Sequence, residues 1–134
     1  MKLCLKNDPS SLDIIFEAIV NFCSENSLSE DIKHNLNVIV DEIVSNVISY
    51  SNSAMHNDKF YVSLNMIQED VEIEIIDFGE KFNPLLRETP DTESSLEDRC
   101  IGGLGIHLVK QFSKDLRYQR VEDKNILTIV LSIE

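Results

Sequence analysis

Glu42 and Asn46 stand four residues apart in Glu42-Ile43-Val44-Ser45-Asn46, the offset that puts two side chains on one face of a helix. The pair flanks the neighbouring apolar positions rather than opposing them. A carboxylate and an amide at the edge of a core can point into a pocket. The amide oxygen suits a hard cation such as Mg²⁺, which takes oxygen ligands and keeps several waters. A carboxylate beside it can orient or deprotonate a nucleophile. The plain alternative is two solvated helix residues, because E-x-x-x-N by itself is common.

A second stretch, Asp77-Phe78-Gly79-Glu80-Lys81-Phe82-Asn83-Pro84, closes an apolar strand. Its aspartate can accept a hydrogen bond from a ligand amine, and Gly79 lets a ligand approach the backbone closely. An ordinary strand-to-loop turn would use the same residue types. The third stretch is Gly102-Gly103-Leu104-Gly105-Ile106. Glycines at a helix start expose backbone N–H groups that can hold phosphates, with the helix dipole adding to the attraction. A flexible hinge would look similar. All four glycines of the chain fall in these last two stretches, which argues for close contact between backbone and ligand. The glycine run is not a P-loop, for it lacks the lysine and hydroxyl that follow in G-x-x-x-x-G-K-[ST]. Nor is it a dinucleotide fingerprint, since no βαβ unit surrounds it.

The elements that must position these residues are legible in the hydropathy. Residues 2–6 alternate and predict a strand. Asp8-Pro9 predicts an N-cap with proline at the first helical position, and a helix to about Glu25 with Leu12, Ile15, Phe16, Ile19, Val20 and Cys23 on its apolar face. A second helix begins at Ser29, with Glu30 and Asp31 in its first turn, and runs to about Tyr50. Its apolar face holds Ile32, Leu36, Ile39, Val40, Ile43, Val44 and Val47. Residues 58–67 and 71–77 predict two strands with Glu69-Asp70 at the turn. Residues 78–101 are polar, hold Pro84 and Pro90, and predict a long functional loop. A helix from the glycine run to about Phe112 follows. Strands around 116–121 and 126–133 come last, with Asp123-Lys124 between them. Helices segregated from hairpin-linked strands imply an α+β fold: a two-layer sandwich with helices on one face of a mainly antiparallel sheet.

Taken in order, Glu42/Asn46, Asp77-x-Gly79, a long loop and Gly103-x-Gly105 resemble the N, G1 and G2 boxes of the GHKL superfamily, whose members include gyrase-type ATPases, heat-shock chaperones and histidine kinases. Within it, Asp77-Phe78-Gly79 with Phe82-Asn83-Pro84, the run from Gly102 to Val109, and 124–128 are most similar to the stand-alone anti-sigma-factor serine kinases. The resemblance covers nearly the whole chain. It implies ATP and Mg²⁺ as cofactors. Asn46 would coordinate the Mg²⁺ and Glu42 would act on the incoming hydroxyl. Asp77 would receive the adenine amino group, with Gly79 lining the base pocket and Thr128 supporting that contact through water. Gly103, Leu104 and Gly105 would approach the phosphates under a lid formed by residues 80–101, and Arg99 would neutralise the terminal phosphate. Where the family often carries histidine followed by glycine or alanine, this chain reads Ser49-Tyr50-Ser51-Asn52.

The resemblance further implies a protein serine/threonine kinase that phosphorylates a STAS-type anti-anti-sigma partner, sequesters a sigma factor and forms a homodimer. An ATP-binding partner-switch module without turnover is the alternative, though Glu42 has no use there. A histidine kinase would need a helical segment with a phospho-acceptor histidine ahead of the strand at 1–6, and a gyrase-type ATPase a transducer domain. Composition is consistent with a cytoplasmic protein of one domain over residues 1–134. The 134 residues are 43% hydrophobic and 27% charged, no apolar run is long enough to span a bilayer, and MKLCLKNDPS lacks an apolar signal region. The net charge of -12 would repel a phosphate backbone, so direct nucleic-acid binding is not expected. Cys4, Cys23 and Cys100 lack metal spacing and predict reduced thiols, with Cys4 and Cys23 serving as small core hydrophobes. His34, His56 and His107 lack metal spacing too.

Overall fold

The computed structural model describes residues 1–51, 59–79 and 103–133. The chain forms β1 (Lys2–Lys6), α1 (Ser11–Glu25), α2 (Glu30–Ser51), β2 (Lys59–Ile67), β3 (Asp70–Asp77), α3 (Gly103–Phe112), β4 (Asp115–Val121) and β5 (Lys124–Ser132). The strands make one sheet of order β1-β2-β3-β5-β4, and all four pairings are antiparallel. The expected α+β architecture is therefore present.

Period-two alternation decides which face is covered. Leu5, Phe60, Val62, Leu64, Val71, Ile73, Ile75, Leu127, Ile129 and Leu131 point to one side and are buried. Against them pack Ile15, Ile19, Phe22 and Cys23 of α1, and Leu36, Ile39, Val40, Ile43, Val44 and Val47 of α2. The opposite face carries Glu72, Glu74 and Thr128, all partly exposed. Cys23 joins the core, whereas Cys4 is exposed. That corrects the expectation for Cys4: one position along from buried Leu5, it falls on the outer side of the pleat.

Helix α1 starts two residues later than Asp8-Pro9 predicts. Asp8 Oδ1 accepts the Ser10 backbone N–H at 2.9 Å. This bond, then the Ser10 hydroxyl, holds the Asp8 carboxyl below its ordinary 3.8. The main chain turns through Ser11 N to Asp8 O (2.9 Å) and Leu12 N to Pro9 O (3.1 Å). Aspartate so placed builds a turn ahead of the helix rather than capping it. Ser11 Oγ then donates to Lys6 O at 2.6 Å, tying the start of α1 to the end of β1. Helix α2 begins as expected, with Ser29 Oγ accepting the Ile32 N–H at 3.2 Å.

Both hairpin turns sit one residue earlier than the acidic pairs suggest. Ile67 pairs with Asp70 and Val121 with Lys124, so the turn residues are Gln68-Glu69 and Glu122-Asp123. Gln68 has φ 58° and Glu122 φ 54°. Two-residue connections take a positive φ at their first position because that matches the strands' twist, so register overrides the usual residue preference.

Gly103, Leu104 and Gly105 make up the first turn of α3. The helix lies beside α2, buries Val109 and closes where the Ser113 hydroxyl donates to Val109 O. No helix among the described residues is long and apolar enough to cross a membrane. Arg99, Cys100, His56, Phe82-Asn83-Pro84, Asn52, Gly102 and the expected lid over 80–101 lie outside the described residues.

Candidate functional site

The alternation that buries Val71, Ile73 and Ile75 carries one step further and buries Asp77, 8% exposed, at the end of β3. Register sets it directly opposite Asn125 of β5, which is 5% exposed. Two polar side chains so placed need partners, and they find each other: Asn125 Nδ2 donates to Asp77 Oδ1 at 2.9 Å. The same Oδ1 accepts the Gly79 backbone N–H at 2.9 Å. Phe78 between them sets its ring edge-on to Tyr61, 6.0 Å between centroids. Gly79 is therefore folded back beside the carboxylate that precedes it.

Strand β4 completes the network. Tyr118 and Arg120 share the core-facing side of β4 with Leu116. The Tyr118 hydroxyl donates to Asn125 Oδ1 at 2.5 Å, and Arg120 Nη1 donates to the same oxygen at 3.2 Å. Arg120 Nη1 also reaches Gly79 O at 2.8 Å, while its Nε donates to Glu122 O at 3.1 Å. Two donors on one amide oxygen leave no doubt which end of Asn125 is nitrogen. The Asp77-x-Gly79 turn is thus held at both ends, its N–H by Asp77 and its carbonyl by Arg120.

The second part of the site is helical. Glu42 and Asn46 sit one turn apart on the flank of α2, both partly buried. Glu42 Oε1 is withdrawn from solvent, and Asn46 Nδ2 is buried with no hydrogen-bond partner among the described residues. With Nδ2 unpartnered among the described residues, a half-turn of the amide would present its oxygen at the same spot. Among the described residues no group of three or more His, Cys, Asp or Glu could hold a metal. A cation here would lean on the single Asn46 oxygen and on the ligand's own oxygens, which is how Mg²⁺ binds at phosphates. Helix α2 touches both β3 and α3. The first turn of α3, built from Gly103, Leu104 and Gly105, presents the N–H groups of a helix N-terminus, which have no partner within the helix. The residues present therefore fit a magnesium–nucleoside triphosphate.

Of the residues singled out from sequence, Thr128 does not join this cluster. It pairs with Glu74 and Arg117, three residues past Asn125, and so faces the opposite side of the sheet from Asp77. Asn125, Tyr118 and Arg120 were missed as site residues. The available signal was a break in pattern: continuing the apolar alternation of β4 and β5 puts Arg120 and Asn125 at core-facing positions.

An α+β sandwich carrying a buried Asp-x-Gly turn, a helix-borne Glu/Asn pair and a glycine-started helix defines an ATPase-like nucleotide fold. Residues 5–131 match the histidine kinase-like ATPase domain, and the chain belongs to that family. It is 29% identical over 101 residues to the serine/threonine-protein kinase BtrW of Bordetella bronchiseptica, covering 75% of this chain and 71% of that protein. Two solved structures share the fold. The SiaB-SiaC complex from Pseudomonas aeruginosa superposes at TM-score 0.69 and 14% identity, over 96% of this chain and 88% of that one. The RsbU and RsbW domains of a Mycobacterium tuberculosis protein superpose at TM-score 0.70 and 10% identity, over 99% of this chain. The chain spans only 32% of that longer protein.

Proposed function

We propose that this chain is an ATP-dependent serine protein kinase of the partner-switching kind. It transfers the γ-phosphoryl group to a serine of a STAS-type anti-anti-sigma protein and, in its other state, sequesters a sigma factor as a homodimer in the cytoplasm. The 29% identity to a serine/threonine-protein kinase supports the reaction class. A fold relative seen in complex with a second protein supports a protein partner. The observation that carries the reading is the Glu42/Asn46 pair: a carboxylate one helical turn from an amide whose buried Nδ2 has no partner among the described residues.

Asp77 accepts the adenine amino group, and Gly79 lines the base pocket. The N–H groups of Gly103, Leu104 and Gly105 receive the phosphates. Asn46 holds Mg²⁺, which supplies charge neutralisation at the triphosphate. Glu42 orients the serine hydroxyl and takes its proton as the oxygen attacks phosphorus and ADP leaves. Arg99 steadies the charge on the transferring group.

Calorimetric titration with ATP, with and without Mg²⁺, tests the site: saturable, Mg²⁺-dependent binding is expected. Glu42→Ala should keep that binding and lower phosphoryl transfer to a STAS-type protein by about 10²–10⁴-fold. Full transfer by Glu42→Ala would remove Glu42 from the chemistry. Binding without transfer even in the unaltered protein would make the chain a nucleotide-dependent switch rather than a kinase.

A further inference from the structure

The Arg120–Asn125–Asp77 chain is more elaborate than a strand end needs. A carboxylate at the end of a strand can satisfy itself with water and one backbone N–H. Here Asp77 Oδ1 takes a backbone N–H and an amide N–H, both at 2.9 Å. The amide itself is oriented from behind by Tyr118 and Arg120. Every bond in the relay runs one way: donors on β4, acceptor then donor on Asn125, acceptor on Asp77. Reversing Asn125 would set its oxygen against the Asp77 carboxylate and its N–H₂ against two donors, so the direction is locked. The same guanidinium nitrogen also grips Gly79 O, so the turn that lines the pocket cannot shift without breaking the relay.

We propose that Arg120, acting through Asn125 and Gly79, is a positioning residue that sets the purine selectivity of the site. It holds Asp77 as a fixed acceptor that takes a 6-amino group and repels a 6-oxo group. The inference rests on the ATP reading above. A pocket that fixes its acceptor rejects a mismatched ligand strongly, because the mismatch sets two acceptors face to face with no water to relieve them. A loose acceptor turns aside and rejects little. Arg120 touches no ligand in this scheme; it acts only through the geometry of Asp77 and Gly79.

The test compares ATP with ITP, which carries oxygen in place of the 6-amino group, by calorimetry in the presence of Mg²⁺. The unaltered protein is expected to favour ATP. Arg120→Met keeps the apolar stem and removes the forked donor; the ATP-to-ITP affinity ratio should narrow by about tenfold, with ATP weakened and ITP changed little. Arg120→Lys keeps one donor and should fall between. A merely structural role would weaken both nucleotides equally, and an equal loss or an unchanged ratio overturns the inference. Should Arg120→Met fail to fold by circular dichroism, Tyr118→Phe is read in its place: a narrowed ratio supports the relay, an unchanged one overturns it. If the unaltered protein binds neither nucleotide, the ATP reading falls and this inference falls with it. If it binds both equally, the inference alone falls.

Discussion

Replacing Asn46 with alanine should make the nucleotide-free protein more stable while removing its response to Mg²⁺-ATP. The buried Nδ2 has no hydrogen-bond partner among the described residues, and an unmatched buried donor costs about 1–3 kcal/mol. Asn46 lies within α2, where alanine is the better helix former by roughly 0.5 kcal/mol. Truncation forfeits the remaining contacts of a partly buried side chain, about 1 kcal/mol. The net is a gain of about 1 kcal/mol, or about 3–5 °C in melting temperature for a domain of this size. With ligand the order reverses: at a hundredfold excess over Kd the unaltered protein gains about 2.7 kcal/mol, and the variant gains none that depends on Mg²⁺. Thermal melts followed by circular dichroism, with and without Mg²⁺-ATP, read both arms. A variant that melts several degrees lower without nucleotide would show that the amide is a structural hydrogen-bonder and refute the reasoning. So would a variant that keeps the full Mg²⁺-dependent shift.

Four further outcomes follow from the geometry. Gln68→Gly should stabilise by about 0.5 kcal/mol in urea unfolding, since the left-handed backbone at φ 58° costs a side chain about 1–2 kcal/mol and glycine gives back roughly half of the gain in chain entropy. Thr128→Ala should leave ATP affinity within about twofold, as an exposed-face substitution remote from Asp77; a larger loss would bring the outer face into the site. Thiol alkylation with peptide mapping should label exposed Cys4 and spare buried Cys23. Burial pushes the Cys23 thiol above its ordinary 9.0, against a smaller pull from Lys33. The folded state thus disfavours the thiolate: this group's contribution is fully present below pH 9.0 and is lost as pH rises through the raised value. A stability that climbs above that pH would contradict the burial.

The fold was legible because hydropathy periods are set by the same packing that makes the core. Leu36, Ile39, Val40, Ile43, Val44 and Val47 repeat at helical spacing and are all buried; Val71, Ile73 and Ile75 alternate and are buried too. The turns were less legible. Their acidic residues drew the boundary to Glu69-Asp70 and Asp123-Lys124, whereas cross-strand register moved it to Gln68 and Glu122, neither a residue that favours positive φ. The α1 start moved because Asp8 spends its side chain on Ser10 in a tight turn. In the candidate site, Glu42, Asn46, Asp77 and Gly79 stand out in the sequence because their spacing follows one element at a time. Arg120 and Asn125 do not, because their meaning comes from contacts across gaps of 41 and 48 residues. For the same reason only the register tells that Thr128 lies on the other face of the sheet from Asp77.

The strand order bears on how the molecule assembles. Strands β2 and β3 form one local hairpin and β4 and β5 another, each joined by two residues. The two hairpins become one sheet only when β3 meets β5. Local hairpins close in microseconds, but a long-range pairing must first overcome the entropy of closing the intervening chain. That late meeting is also what brings Asn125 to Asp77. The Asp77–Asn125 end of the candidate site is therefore absent from either hairpin alone and forms only when the two hairpins dock. A purine bound there would slow the parting of the two hairpins far more than it would hasten their formation, so nucleotide would prolong the lifetime of the folded chain.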